Sequence, residues 1–231
     1  MSQRVRRRPA ASQAPAENLD HLSNRVLKYL LEKSRKKYAV KTTDIKKYAL
    51  GKHADHFRSV INNVKIKLRN IYGYNLIHVA GAQYFTSNLF VNKYLKSMSS
   101  PRESAEQTLI FLVLGFIFMC AENSEHAIIV EDEIWDFFTN MNIISEHNSC
   151  HPYFGNVKEL ISDKFVKQLY LAKRKDRETD AVWYEWGPRA NEEVDRRSVL
   201  KFVSKIYNRQ IENFAEQYKA MKRHERSALQ E

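Results

Sequence analysis

Apolar residues near the start of this chain recur at helical spacing. Leu19, Leu22, Val26 and Leu30 share one face and predict a helix over residues 18–34. Thr43 and Asp44 are residue types that start a helix and Gly51 is a type that closes one, so a short second helix is expected through Leu50. Phe57, Val60, Ile61, Val64 and Leu68 form the apolar row of a third helix, over about residues 54–70. Two alternating segments, 75–79 and 83–86, flank Gly81 and predict a hairpin. Three helices followed by a hairpin is the winged-helix order.

The second half repeats that order in looser form. A long apolar helix is expected over 102–121 and a short strand over 127–130. A helix follows with Ile134, Trp135, Phe138 and Met141 on one side. Residues 156–168 carry Val157, Leu160, Ile161 and Phe165, and two strands, 169–173 and 181–186, are joined by a charged loop. A final long helix is expected from Pro188, a residue accepted in a first helical turn. Its Leu200, Val203, Tyr207, Ile211, Phe214 and Tyr218 recur at heptad-like spacing, which fits packing within the domain or a separate coiled coil. The expected organisation is a disordered basic tail (1–16), a winged-helix module A (17–97), a linker near 97–101, a winged-helix module B (101–210) and a C-terminal helix extension (211–231). The fold class is mainly α with small β wings, in tandem winged-helix modules.

The thirteen-residue apolar run 109–121 is too short to span a membrane, which needs about 18 residues, and reads as a buried core helix. A signal peptide is not expected, since the first residues carry Arg4, Arg6, Arg7 and Arg8 rather than an apolar segment. Cys120 lies in the apolar run and reads as a small core residue. With only Cys150 besides, a reducing compartment is expected rather than a disulfide framework.

Charge changes the picture more. The net charge is +11, and residues 25–69 alone hold 14 basic against 3 acidic side chains. Residues 101–231 hold 18 basic and 22 acidic ones, a net −4. A basic half is joined to a mildly acidic half, a field that attracts phosphates or an acidic protein surface. Arg58, Asn62, Lys65 and Arg69 fall at i, i+4, i+7 and i+11 of the third helix, opposite its apolar row. In a helix-turn-helix that face enters the major groove, where Lys and Arg neutralise phosphates and an Asn reads a base edge. DNA contact, contact with an acidic protein and a plain solvated face all remain open for this stripe.

Chemistry for catalysis is not expected. The six glycines form no phosphate-cradling loop and no Ser sits in a nucleophile elbow. His147, Cys150 and His151 lack the second ligand pair of a closed zinc site. Glu131, Asp132 and Glu133 open a helix, where its dipole favours them. Neither a metal nor a cofactor nor a small-molecule substrate is expected.

The run Tyr184-Glu185-Trp186-Gly187-Pro188-Arg189-Ala190 resembles the late signature of the MAGE (melanoma antigen) homology domain family. Other matches occur in the family's order: Tyr29-Leu30-Leu31-Glu32-Lys33, then Leu114-Gly115-Phe116-Ile117-Phe118-Met119, Glu133-Ile134-Trp135, Phe154-Gly155, and Val166-Lys167-Gln168-Leu169-Tyr170-Leu171. The resemblance covers about residues 20–208. The chain departs from the family near Tyr38 and Ala39, at Tyr72-Gly73-Tyr74 and at Cys120-Ala121. It implies two winged-helix modules in tandem, a nuclear location, and binding and stimulation of a RING-type E3 ubiquitin ligase. It also implies a place beside a RING subunit and a kleisin subunit in the SMC five–six chromosome-maintenance and DNA-repair complex.

The family's paired leucines fall at Leu30 and Leu31, which serve either the RING interface or the core. On the second module the resemblance implies a kleisin groove and non-specific contact with double-stranded DNA, with Lys164, Lys167, Lys173, Arg174 and Lys175 as candidates. Asp176, Glu178 and Asp180 weaken that patch. Trp183, Trp186 and Phe138 are either core or groove, and the signature residues are expected to build the strand-to-helix junction. A stand-alone winged-helix transcription regulator is the alternative function.

Overall fold

The computed structural model describes residues 14–90, 99–120 and 127–228. Residues 1–13 of the expected tail and 91–98 at the expected linker lie outside the described residues. The chain divides into two compact units, Met1–Leu89 and Phe90–Glu231.

In the first unit α1 (Ala14–Ser34) begins earlier than expected, so residues 14–16 belong to a helix. Leu22, Val26, Leu27 and Leu30 are buried along its inner face. Strand β1 (Val40–Lys41) leads into α2 (Thr42–Asp44), which widens into a π-helical turn, Ile45–Leu50, and stops at Gly51 with φ 58°. A 3-10 turn, Gly51–His56, then feeds α3 (Phe57–Lys67). Val60, Ile61, Val64 and Leu68 are buried against α1, while Phe57 is only partly covered. A π-helical turn (Leu68–Tyr72) ends at Gly73, whose left-handed φ of 68° a glycine adopts without steric cost.

The wing is β2 (Tyr74–Val79) antiparallel to β3 (Gln83–Asn88). The two-residue β1 joins through Val40 opposite Tyr84, giving a sheet ordered β1-β3-β2. A polar seam locks α1 to α3. The buried Ser23 hydroxyl donates to Leu19 O at 2.7 Å and accepts from Asn63 at 3.1 Å, and Lys67 donates to Asp20 and Asn24, each at 2.6 Å.

The second unit opens with α4 (Pro101–Met119). Ser100 and Glu103 form a reciprocal capping box at its start and Pro101 stands in the first turn. Leu109, Ile110, Val113, Leu114, Ile117 and Phe118 bury most of its circumference, as a central core helix requires. Next come β4 (Ile129–Val130), α5 (Glu131–Asn140), a small hairpin of β5 (Cys150–His151) with β6 (Gly155–Asn156), and a helix in three registers: α6 (Val157–Glu159), a π-helical turn (Leu160–Lys164) and α7 (Phe165–Lys167). The wing is β7 (Leu171–Lys175) with β8 (Val182–Trp186), and β4 pairs with β8 to give the order β4-β8-β7. Among the described residues each unit therefore has three helical segments ahead of a wing hairpin, with one short upstream strand added to the second wing strand. The fold is mainly α with small β wings.

Several expectations are corrected. Leu169 has φ 66° and turns the chain, with its N–H on Val166 O at 3.0 Å, so the first wing strand starts at Leu171. Met141 lies beyond the end of α5 and is 44% exposed. Cys120 is exposed at the end of α4 rather than buried. The single long final helix is three: α8 (Pro188–Glu193), α9 (Arg196–Tyr207) and α10 (Ala215–Ala228). Val194 is extended, Asp195 restarts the helix by accepting the N–H groups of Arg197 and Ser198, and Asn208 closes it at φ 49°. The segment expected as an extension packs back: Met221 is fully buried in the second core, and Gln217 donates to Met119 O at 3.0 Å.

Candidate functional site

Leu30 and Leu31 are neighbours with different surroundings. Leu30 is 2% exposed inside the first core, in the row with Val26. Leu31, about 100° further round the helix, is half-buried and lines a groove of about 460 Å³ with Leu27 and Tyr72. Lys28, Glu32 and Arg35 give that groove a charged rim. It is an apolar floor edged by charge, the composition of a protein-docking surface. Of the two leucines, Leu31 reaches the groove and Leu30 is in the core.

The stripe on α3 is exposed throughout: Arg58, Asn62, Lys65 and Arg69 all face outward and make no ion pair among the described residues. Ile66, 58% exposed, sits one turn beyond Asn62 on the same side. Lys67 does not belong to the stripe, because Asp20 and Asn24 hold it, and that hydrogen bond keeps the Asp20 carboxyl below its ordinary value.

A feature of the first unit that charge counting misses is a pair of stacked tyrosines. The rings of Tyr29 and Tyr48 lie 6.4 Å apart, with the Lys33 ammonium 5.5 Å from the first and that of Lys47 5.1 Å from the second. The run Lys46-Lys47-Tyr48 is the signal that could have found it.

The five candidate cations of the second unit are each matched by a carboxylate. Lys164 donates to both oxygens of Glu106 at 2.6 Å, and Lys167 sits 2.8 Å from Asp163. On the wing strand Lys173 pairs with Glu131 at 3.2 Å, Arg174 with Glu185 at 2.5 Å and Lys175 with Asp180 at 2.8 Å. The strand brings the last three together, and the same sheet brings their acids. The field of this wing is close to balanced, unlike that of α3.

The signature residues build the turn from β8 into α8. Tyr184 is fully buried and donates to Glu131 at 2.8 Å; burial, then this carboxylate, pushes its hydroxyl pKa upward. Trp186 Nε1 donates to Leu114 O at 2.9 Å and the Arg196 guanidinium lies 4.7 Å over its ring. Gly187 N donates to Tyr170 O at 2.8 Å and Pro188 begins the helix. Arg189, 2% exposed, donates through Nε to Gln168 O and through Nη1 to Glu193, each at 2.7 Å. Phe138 and Trp186 are core, whereas Trp183 is half-buried.

Among the described residues no group of three His, Cys, Asp or Glu could hold a metal ion. His151 uses Nδ1 to accept the N–H of Tyr153 at 3.1 Å, a turn contact. No helix among the described residues is long and apolar enough to cross a membrane.

The sequence matches the model of the MAGE homology domain over residues 26–87 and 80–197. It is 31% identical over 228 residues to the non-structural maintenance of chromosomes element 3 homolog of Homo sapiens, covering 94% of this chain and 71% of the relative. The Mus musculus protein of the same name is 32% identical over 200 residues, covering 84% and 68%. In structure the chain resembles one from the Nse1-Nse3-Nse4 complex, with a TM-score of 0.77, 28% identity, and coverage of 92% of this chain and 100% of that one. With its tandem winged units and its buried Tyr184–Ala190 junction, the chain belongs to the MAGE homology domain family.

Proposed function

We propose that this chain is a non-catalytic subunit of the nuclear SMC five–six complex, where it serves chromosome maintenance and DNA repair. In this reading the first unit holds and stimulates a RING-type E3 ubiquitin ligase, the second unit holds a kleisin subunit, and the whole contributes non-specific contact with double-stranded DNA. The observation that carries the reading is the likeness, end to end, to a chain of the Nse1-Nse3-Nse4 complex. The groove beside Leu31 supports the RING arm, since it offers apolar area with a charged rim on the helix that bears the family's paired leucines. The unpaired cations of α3 support the DNA arm and move its main contribution to the first unit.

The test is co-purification from cells, then capture of the RING partner by purified variants. Leu31→Glu is expected to lose the RING partner with circular dichroism unchanged, whereas Leu30→Ala is expected to lose helicity together with binding. Full capture by Leu31→Glu overturns the groove assignment, and recovery of the chain without RING or kleisin partners overturns the assembly reading. A second reading, a sequence-selective transcription regulator, draws support from exposed Asn62 and Ile66 between the cations, groups suited to base edges and thymine methyls. Selection from random duplexes separates the two: an assembly subunit shows no preferred sequence.

A further inference from the structure

The π-helical turn after α2 is anchored by its inner side. Ile45, Ala49 and Leu50 are buried in the first core, which leaves Lys46, Lys47 and Tyr48 facing outward. On α1 the burial of Val26 and Leu30 puts Tyr29 on the flank of the helix, with Lys33 one turn further on. The two elements meet at their rings: Tyr29 and Tyr48 stack within 29° of parallel at 6.4 Å. Tyr48 is 61% exposed, far more than a ring that serves only the core. Each of the two rings carries a lysine, and Lys46 beside them lies 5.2 Å from the ring of Phe57. Lysines and rings are thus interleaved around this turn. The groove beside Leu31 is a separate surface, since Leu31 and Tyr29 are about 160° apart round α1.

The charges here indicate what fits. Lys33, Lys46 and Lys47 make no ion pair among the described residues, while Glu32 and Asp20 are taken by Lys28 and Lys67. Burial, then the charge of Asp44, pushes the Tyr29 hydroxyl pKa upward, so that phenol stays neutral. One carboxylate against three ammonium groups leaves the face positive. A cationic ligand is repelled, because the rings already face cations. An anion with flat apolar faces is complementary. A polynucleotide with unpaired bases supplies both, phosphates for the ammonium groups and open π-faces for the rings. In a duplex, neighbouring base pairs cover those faces and the rings gain nothing. An acidic peptide supplies the charge without a regular series of planes.

We infer that the Tyr29–Tyr48 face binds single-stranded nucleic acid. Unpaired bases stack on the exposed Tyr48 and its neighbouring rings, and Lys33, Lys46 and Lys47 meet the phosphates. The α3 stripe is a different surface: Arg58, Asn62, Lys65 and Arg69 include no ring and suit the phosphates of a duplex. The first unit then has one contact for paired strands and another for unpaired ones, the two forms that adjoin wherever a duplex opens. This assignment does not depend on membership of the assembly, since it concerns side chains of this unit alone.

The test is fluorescence anisotropy of the full chain with labelled oligo(dT) and oligo(rU) of about 20 nucleotides, longer than one stacking site. Binding of either is expected, and comparing the two identifies the preferred sugar. Tyr48→Ala, at an exposed position, should weaken it about fivefold or more, the worth of one stacked base, while Tyr48→Trp retains it. Lys33→Ala with Lys47→Ala should weaken it too and flatten the salt slope by about 1.4, near 0.7 for each phosphate contact on a single strand. An abasic strand keeps the phosphates and lacks the bases, so Tyr48→Ala should not weaken its binding further. Duplex binding should be unmoved by Tyr48→Ala. Absence of binding to both oligomers, or binding insensitive to Tyr48→Ala, overturns the inference. So does an abasic strand held as tightly as oligo(dT), which makes the face a plain phosphate patch. Equal losses for duplex and single strand in Tyr48→Ala overturn it as well, and so does polyglutamate that competes as strongly as oligo(dT).

Discussion

The carbonyl oxygen of Leu169 lies 2.2 Å from the position a β-carbon on Gly187 would occupy. Backbone, not a flexible side chain, fills that space, so no residue but glycine fits without moving the turn from β8 into α8. Gly187→Ala is expected to cost about 1–3 kcal/mol, as overpacking of a dense interior does. All three tryptophans, Trp135, Trp183 and Trp186, lie in the second unit. Urea unfolding followed by tryptophan fluorescence therefore reads this loss directly. An unchanged midpoint would sink the close-approach argument.

Arg189 is the buried cation of the same junction, and its Nε donates to Gln168 O. Arg189→Met keeps bulk but removes the Nε donor to that buried carbonyl and the ion pair with Glu193, a loss of about 1–3 kcal/mol. Arg189→Lys is expected to rescue little, because one ammonium does not reproduce the guanidinium geometry that reaches both Gln168 O and Glu193. The same fluorescence titration measures both variants.

Leu30→Ala is expected to destabilise the first unit by about 2–5 kcal/mol, the range for truncating a fully buried leucine. Leu31→Ala should cost less, since that side chain is only half-buried. Far-UV circular dichroism against denaturant orders the two, and the reverse order would contradict the placement of Leu30 in the core.

Salt titration separates the two basic regions. Arg58→Ala, Lys65→Ala and Arg69→Ala together are expected to weaken duplex binding for every sequence and flatten the salt slope by up to about 3 units, near 0.9 for each phosphate contact. Lys173→Ala with Lys175→Ala is expected to change the slope little, since Glu131 and Asp180 already match these cations. Equal effects from both sets would refute the assignment of DNA contact to α3.

Burial, then the charge of Arg196, holds the His224 pKa below its ordinary 6.5, with Asp195 and Glu225 opposing. The folded chain thus resists a proton that the unfolded chain accepts. Stability of the second unit is therefore expected to fall as pH drops below about 6.5 towards the folded pKa, and this group has no effect above neutrality. Melting temperature measured between pH 5 and 8 should show a shallower acid slope in His224→Gln than in the parent. Identical slopes would remove His224 as the cause.

Much of this fold is legible in the chain because amphipathic spacing and turn residues speak locally. The row Leu22–Val26–Leu30 and the punctuation at Gly51 and Gly73 suffice for the first unit. What stays hidden depends on distant partners. Val40 becomes a strand only because Tyr84 lies opposite. Lys164 finds Glu106 across 58 positions, so a basic cluster in sequence becomes a neutral one in space. The break at Asn208 hides for another reason: the heptad-like apolar row from Leu200 to Tyr218 runs across it, and a single left-handed residue overrides the row. The site follows the same rule. The exposed α3 stripe is readable from periodicity, whereas the division of labour between Leu30 and Leu31 needs the groove wall that Tyr72 supplies.

The match to the family model ends at residue 197, yet Met221 is fully buried in the second core. The recognisable domain and the folded domain therefore have different edges. A protein trimmed at residue 197 would leave the second core without Met221 and Arg197 without the carboxylate that Glu225 offers it.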